Sequence, residues 1–262
     1  MNEAAQIKVV GTSAAREVDK LLDAVDAACP ARPISVLQVG SRIAPVNKAE
    51  RNWRHLVEAK YGTRARFTGL DIEAGDNVDL VLDICGDPAA LDRALGGTRF
   101  DLIVCEHVLE HVPAPWRAAT AIQTLLAPDG HLLVVVPWVH AHHARPDDYW
   151  RMSFAGVALL FDALEVVGLF YTGTAAGLDV AYRVTRGETV ELSPAIGAVE
   201  QGLFQLTLDH AENKNLLARQ PGQRMPLSRV YMPATLVNVI ARKGPLSRLR
   251  EREGPIAPAM GG

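Results

Sequence analysis

A chain of 262 residues, 48% hydrophobic and 22% charged, can bury one good core with some elaboration, so the expectation is a single domain with an appendage. Its 27 basic and 30 acidic side chains leave a net charge of -3 with no long run of one sign, which argues against nucleic acid or an acidic membrane surface and for a diffusible small substrate. No apolar run nears the ~20 residues of a bilayer span, and MNEAAQIKVVGTSAAREVDK at the start lacks the basic and apolar segments of a secretory signal, so a cytoplasmic protein is expected.

Taken in chain order, helical patterns alternate with short β-branched runs. The helix REVDKLLDAVDAA comes first, then the run ISVLQVG, the helix ERNWRHLVEAK, the runs ARFTGLDI and NVDLVLDI, and the helix PAALDRAL. The run FDLIVCE, the helix PWRAATAIQTLL and the run GHLLVVVPW follow. Apolar residues recur at three and four positions in the helices, and this alternation predicts a parallel sheet with helices on both faces. Cys29, Cys85 and Cys105 are widely spaced in apolar settings, as expected of reduced thiols rather than a disulfide framework or zinc site.

In such a sheet ligands sit beyond the carboxyl ends of the strands, where strand order reverses. Gly40, Ser41 and Arg42 follow the first run. Arg42 and Pro45 stand where a dinucleotide loop needs its second and third glycines, so no pyrophosphate cradle is expected. Asp71 and Ile72 end the second run, where a carboxylate can accept from a ribose diol; a turn-forming Asp is the alternative. Asp83 and Ile84 end the third, offering an acid and an apolar side chain to an adenine amino group and face.

Together these segments resemble the class I S-adenosylmethionine-dependent methyltransferases, in their small-molecule branch. VLQVGSR resembles the glycine motif, FTGLDI the ribose motif, VDLVLDIC the adenine-side motif, and FDLIVCEHVLEHVPAPWRAATAIQTLLAPDGHLLVVVPW the fourth strand, helix and fifth strand. The resemblance covers roughly residues 34–161. It implies S-adenosylmethionine as cofactor, with Gly40, Ser41, Arg42, Asp71, Ile72, Asp83, Ile84 and Glu106 around it. A cofactor without phosphate at this loop needs fewer glycines. Gln38, Arg42 and Ala44 depart from the usual acid and glycines, whereas Asn47, Trp53 and Arg54 resemble a subset of the family with a GSR loop. Arg42 then either reaches the cofactor carboxylate or the substrate, or is a solvated loop charge.

His107, Glu110 and His111 stand at i, i+3 and i+4, a spacing that shares one helical face. Quinone-biosynthesis O-methyltransferases of similar sequence bind a metal through an acid at the first of these positions. Here His107 occupies it, and LEHV also occurs in relatives without metal, so no metal is expected and His111 reads as a capping or packing residue. After the fifth run, HARPDDYWR resembles a segment lining the mouth of the site in the same subset. It makes His140, Tyr149 and Arg151 candidate substrate contacts. The competing reading is a structural clamp, with Asp147 or Asp148 paired to Arg151 and Trp150 packed down. Ser153 is a candidate N-cap for the next helix.

The implied reaction is in-line displacement at a sulfonium methyl, with positioning as a main source of rate. A hydroxyl acceptor needs its proton removed, a task for histidine; His143 is the first candidate and His107 the second. The resemblance implies O-methylation of a saccharide or secondary metabolite, and the 6% aromatic content, with few platforms for a large planar acceptor, leans the expectation toward a saccharide. ALEVVGLFYTGTA and MPATLVNVIARK read as the sixth and seventh strands, the last antiparallel. Residues 186–228 read as a helical insertion that covers substrate or forms a homodimer interface. The expected architecture is therefore a Rossmann-like, seven-stranded, mostly parallel sheet, with a methyltransferase domain over residues 1–248 and a flexible tail over 249–262. Two alternatives accompany it: an inert module that binds the cofactor, and a nicotinamide-dependent oxidoreductase, which the missing glycines oppose.

Overall fold

The structure, a computed structural model, describes residues 11–43, 52–140, 142–143, 146–175, 178–183 and 235–244. Asn47, the insertion expected over 186–228 with its dimer interface, and the tail over 249–262 lie outside the described residues.

All seven expected strands form. They are β2 (Ile34–Val39), β3 (Ala65–Asp71), β4 (Leu80–Val81), β5 (Phe100–Glu106), β6 (Leu126–Val139), β7 (Glu165–Ala175) and β9 (Thr235–Arg242). Two more, β1 (Gly11–Ser13) and β8 (Leu178–Arg183), extend the sheet past β7. Across the sheet the order is β4-β3-β2-β5-β6-β9-β7-β8-β1. Strands β2 to β6 pair in parallel, and β9 runs antiparallel between β6 and β7. The chain winds outward from β2 to β4 and then returns to the other side of β2 with β5. That reversal is the switch point where a crevice opens beyond the strand ends.

The period of two within the central strands explains why both faces are buried. Val36, Leu102, Val104, Leu133 and Val135 pack with Val18, Leu22 and Val25 of α1 (Ala14–Ala28) and Trp53 and Val57 of α2 (Trp53–Tyr61). Leu37, Val39, Ile103, Cys105, Leu132 and Val134 pack on the other face. There they meet α3 (Pro88–Ala94), α4 (Pro115–Leu125) and α5 (Phe154–Leu160) through Leu91, Ile122 and Val157. Strands covered on both sides read as continuous apolar runs, as LLVVV does.

Local capping sets the helix starts. The Asn52 side chain accepts from the His55 backbone N–H at 2.9 Å and starts α2, and Ser153 accepts from Gly156 at 3.1 Å and starts α5. Each satisfies one of the orphan donors at a helix start. Burial pushes the Cys29 thiol up to about 11, which fits an unreactive thiol inside the core.

One buried imidazole makes stability pH-dependent. His131 on β6 is 7% exposed, sits opposite Arg242 of β9, and has its pKa lowered from 6.5, first by burial and then by Arg242. The unfolded chain therefore takes up a proton near pH 6.5 while the folded chain resists it, so stability is lost as pH falls from about 6.5 through the lower folded value. The urea midpoint of the wild type should drop more between pH 7.5 and pH 5 than that of His131→Gln. Parallel pH profiles for the two proteins would refute the assignment.

Candidate active site at the carboxyl ends of β2 and β5

The first wall of the crevice is built on β2 and β3. Gly40, at φ +72°, turns the chain sharply after β2, and the N–H groups of Gly40 and Ser41 donate to the Leu70 carbonyl at 2.9 and 3.1 Å. This folds the loop over the end of β3. Asp71 receives one backbone N–H on each carboxylate oxygen, from Arg42 and from Glu73, both at 3.1 Å. An ionised carboxylate has roughly four acceptor sites, so the two bonds orient Asp71 and leave capacity for a diol. Ile72 beside it is 53% exposed. The Ser41 hydroxyl is buried without a hydrogen-bond partner among the described residues. The turn-forming role of Asp71 does not exclude a ligand role, since the bonds to the turn occupy one site on each carboxylate oxygen and aim the carboxylate.

Other expected contacts fall elsewhere. Ile84 is 3% exposed and packs in the core, so its side chain offers no face to a ligand, and Ile72 and Val81 are exposed apolar side chains at this edge. Asp83 is exposed and accepts from the Cys85 N–H. Arg42 pairs with Glu73 at 2.8 Å. Trp53 is wholly buried and donates its indole N–H to Glu106 at 2.5 Å, which ties the end of β5 to α2. Arg54 binds Asn77 and Asp79 and lies over the Phe67 ring at 4.5 Å, a scaffolding role.

The second wall departs from the expected helix. Residues 107–111 form no α-helical face: His107 has φ +55°, only a single 3-10 turn spans Leu109–His111, and α4 starts later, at Pro115. Pro113 and Pro115 account for the break, because the residue before a proline is driven out of the helical region. The side chains still converge. Glu110 is fully buried, and its Oε1 lies 3.4 Å from His107 Nδ1, 3.8 Å from His111 Nε2 and 4.0 Å from His143 Nε2.

Residues 147–150 of the HARPDDYWR segment are clamped onto that turn. The N–H groups of Tyr149 and Trp150 donate to the Glu110 carbonyl at 2.7 and 3.3 Å, and the Trp150 indole donates to the Val112 carbonyl at 2.8 Å. Arg151 grips Asp148 with two bonds, at 2.5 and 2.8 Å, and this guanidinium holds the Asp148 carboxyl well below the usual carboxylate range. Asp148 in turn accepts from the His143 N–H at 2.9 Å and lies 3.4 Å from its Nδ1. Of the expected substrate contacts, Arg151 is engaged with Asp148 and the His140 carbonyl. Tyr149 donates its hydroxyl to Asp147 at 2.8 Å, and His140 is exposed, its ring 4.4 Å from that of His143. Glu110 is the group that sequence reasoning undervalued, because nothing in LEHV tells a buried acid at the centre of three imidazoles from a solvated one.

An oriented acid at the end of β3 and a cluster of histidines past β5, on the switch-point side of the sheet, agree with the sequence comparison: the family described as Methyltransferase domain matches residues 8–180, more than half of the chain. The protein belongs to this family. Among solved structures, the chain is similar to the N-methyltransferase NodS from Bradyrhizobium japonicum WM9 in complex with S-adenosyl-l-homocysteine, at 20% identity and TM-score 0.41, covering 64% of this chain and 86% of that one. It is also similar to a SAM-dependent methyltransferase from Archaeoglobus fulgidus, at 11% identity and TM-score 0.47, covering 87% and 94%. A third is the 1,6-didemethyltoxoflavin-N1-methyltransferase of Burkholderia thailandensis, at 20% identity and TM-score 0.39, covering 64% and 80%. No curated protein matches the sequence. The assignment to the methyltransferase family rests on the family match and accords with the strand order. Among the described residues no helix is long and apolar enough to cross a membrane.

Proposed function

We propose that this methyltransferase domain uses S-adenosylmethionine to methylate a hydroxyl of a small molecule, a saccharide or a secondary metabolite. The observation that supports the reading is Asp71, aimed by two backbone N–H groups at the end of β3, together with the histidines around Glu110 past the end of β5, both at the carboxyl ends of strands that flank the switch point. When bound, the cofactor supplies a methyl group on a sulfonium sulfur. The chain's own residues do the rest. Asp71 accepts from the ribose diol, Ile72 lies against the adenine, and the buried Ser41 hydroxyl gains a partner in the bound molecule.

An acceptor hydroxyl must lose its proton as the new C–O bond forms. We assign that proton to His107, the second candidate from sequence, ahead of His143. Both ring nitrogens of His143 face carboxylates, Asp148 at 3.4 Å and Glu110 at 4.0 Å. His107 is exposed at the end of β5 and is turned there by a positive φ, a region where histidine is enriched over most other side chains. Glu110 at its Nδ1 orients the ring with Nε2 on the opposite side.

Calorimetry tests the cofactor. S-adenosylmethionine or S-adenosylhomocysteine should bind, and Asp71→Ala should weaken binding by about 1–3 kcal/mol through loss of a charge-assisted bond. Binding of NAD with neither sulfur nucleoside bound would overturn the reading. Label from S-adenosylmethionine recovered only on nitrogen or carbon would overturn the O-methylation.

A further inference from the structure

We propose that Glu110, His111 and His143 bind one divalent transition-metal ion of the zinc class at the mouth of the crevice, with an open coordination position toward the acceptor. The site stands on its own geometry, and only the open position's use by an acceptor oxygen rests on the O-methylation reading.

Glu110 begins the argument. Its carboxylate is wholly buried, and neither oxygen has a hydrogen-bond partner among the described residues. A buried carboxylate without such bonds is unstable as an anion unless a cation meets it. One donor atom from each of Glu110, His111 and His143 falls within a 4.8 Å group, and both imidazole Nε2 atoms stand 3.8–4.0 Å from Oε1. Tetrahedral zinc, with bonds of about 2.0–2.2 Å, sets its donors about 3.4 Å apart, so small shifts close these three onto one ion.

The outer partners of the two imidazoles support this. His111 Nδ1 meets the Asp147 carbonyl at 2.5 Å, which makes Nδ1 the protonated nitrogen and leaves the Nε2 lone pair facing Glu110. His143 Nδ1 faces Asp148 at 3.4 Å, with Asp148 itself fixed by Arg151. Histidines that ligate metals are oriented in this way, with the second nitrogen on a carbonyl or carboxylate. Two imidazoles and one carboxylate suit zinc and its neighbours, whereas magnesium and calcium prefer oxygen donors alone. Three protein ligands leave one position open, as catalytic zinc sites do, and His107, 3.4 Å from the same Oε1, stands beside it. The expectation of no metal came from His107 in place of an acid and from LEHV; His143 reaches the cluster from beyond β6, on a segment with no sequence link to that motif.

The test uses full-length protein stripped with a chelator, dialysed against dilute zinc and read by mass spectrometry for metal. One zinc per chain is expected, lost in Glu110→Gln and in His143→Ala, and bound about 10–100-fold more weakly in Asp148→Asn. Circular dichroism follows the folding of each variant. Wild-type protein that takes up no zinc, or Glu110→Gln that retains it in full, would overturn the site. If Glu110→Gln fails to fold, the wild-type stoichiometry and the Asp148→Asn affinity decide the matter. Methyl transfer on the same samples separates the two readings. Zinc bound with no hydroxyl methylated overturns only the O-methylation, and full transfer by protein that binds no zinc overturns only the metal site.

Discussion

Replacing His107 with asparagine lowers turnover by about 10²–10⁴, the usual contribution of a positioned general base, and leaves cofactor affinity close to wild type. Asparagine is chosen because it tolerates the left-handed backbone at this position, φ +55°, whereas alanine would add strain to the lost imidazole. Most of the cofactor's expected contacts follow β2 and β3, and Glu106, which precedes His107 on β5, is held by the Trp53 indole. A structural role would look different: the melting temperature and cofactor affinity would fall together, and the folded fraction would turn over normally. Wild-type turnover in the variant returns the proton to His143 or leaves the rate to positioning alone.

The sheet was legible because a β-strand buried on both faces leaves an unbroken apolar run, and FDLIVCE became β5 residue for residue. Helix starts were legible where a side chain caps them, as Ser153 does. NVDLVLDI promised a full strand and delivered two residues, Leu80 and Val81. Asn77 at φ +72° and Asp79, which accepts from the Gly69 N–H, turn the first part of that run into a loop. The strand β1 is three residues long, too short for alternation to register. At the site, Asp71 stood out because a strand end is a position readable from sequence. The convergence on Glu110 did not, since it depends on a left-handed His107, a helix delayed by two prolines and a segment arriving from beyond β6.

Gly69→Ala should be the most damaging of the single-methyl changes in the cofactor wall. A Cβ at Gly69 would lie 2.0 Å from the Asn77 carbonyl oxygen and 2.7 Å from the Ser41 hydroxyl. The first of these is backbone and cannot rotate away. Asn77 is held by bonds from its side chain to Gln38 and to the Ser41 carbonyl, at 3.2 and 2.9 Å, and by Arg54 at 2.8 Å. Gly69 is itself bonded to Asp79 in both directions. The methyl therefore displaces the loop after β2 and the turn before β4 together. Overpacking of this kind costs about 1–3 kcal/mol, which at about 2–4 °C per kcal/mol for a chain of this size lowers the melting temperature by roughly 2–12 °C. Because Ser41 lies in that loop and Asp71 accepts from its Arg42 N–H, affinity for S-adenosylhomocysteine should fall with it. Gly62→Ala is the control: Gly62 has a positive φ, +56°, which Gly69 within β3 does not, and no atom lies within 4 Å of its added Cβ, so the change carries strain without a clash and should leave cofactor binding intact. Equal losses of affinity in the two variants would show that general destabilisation, rather than the close approach of Asn77 to Gly69, lowers the affinity.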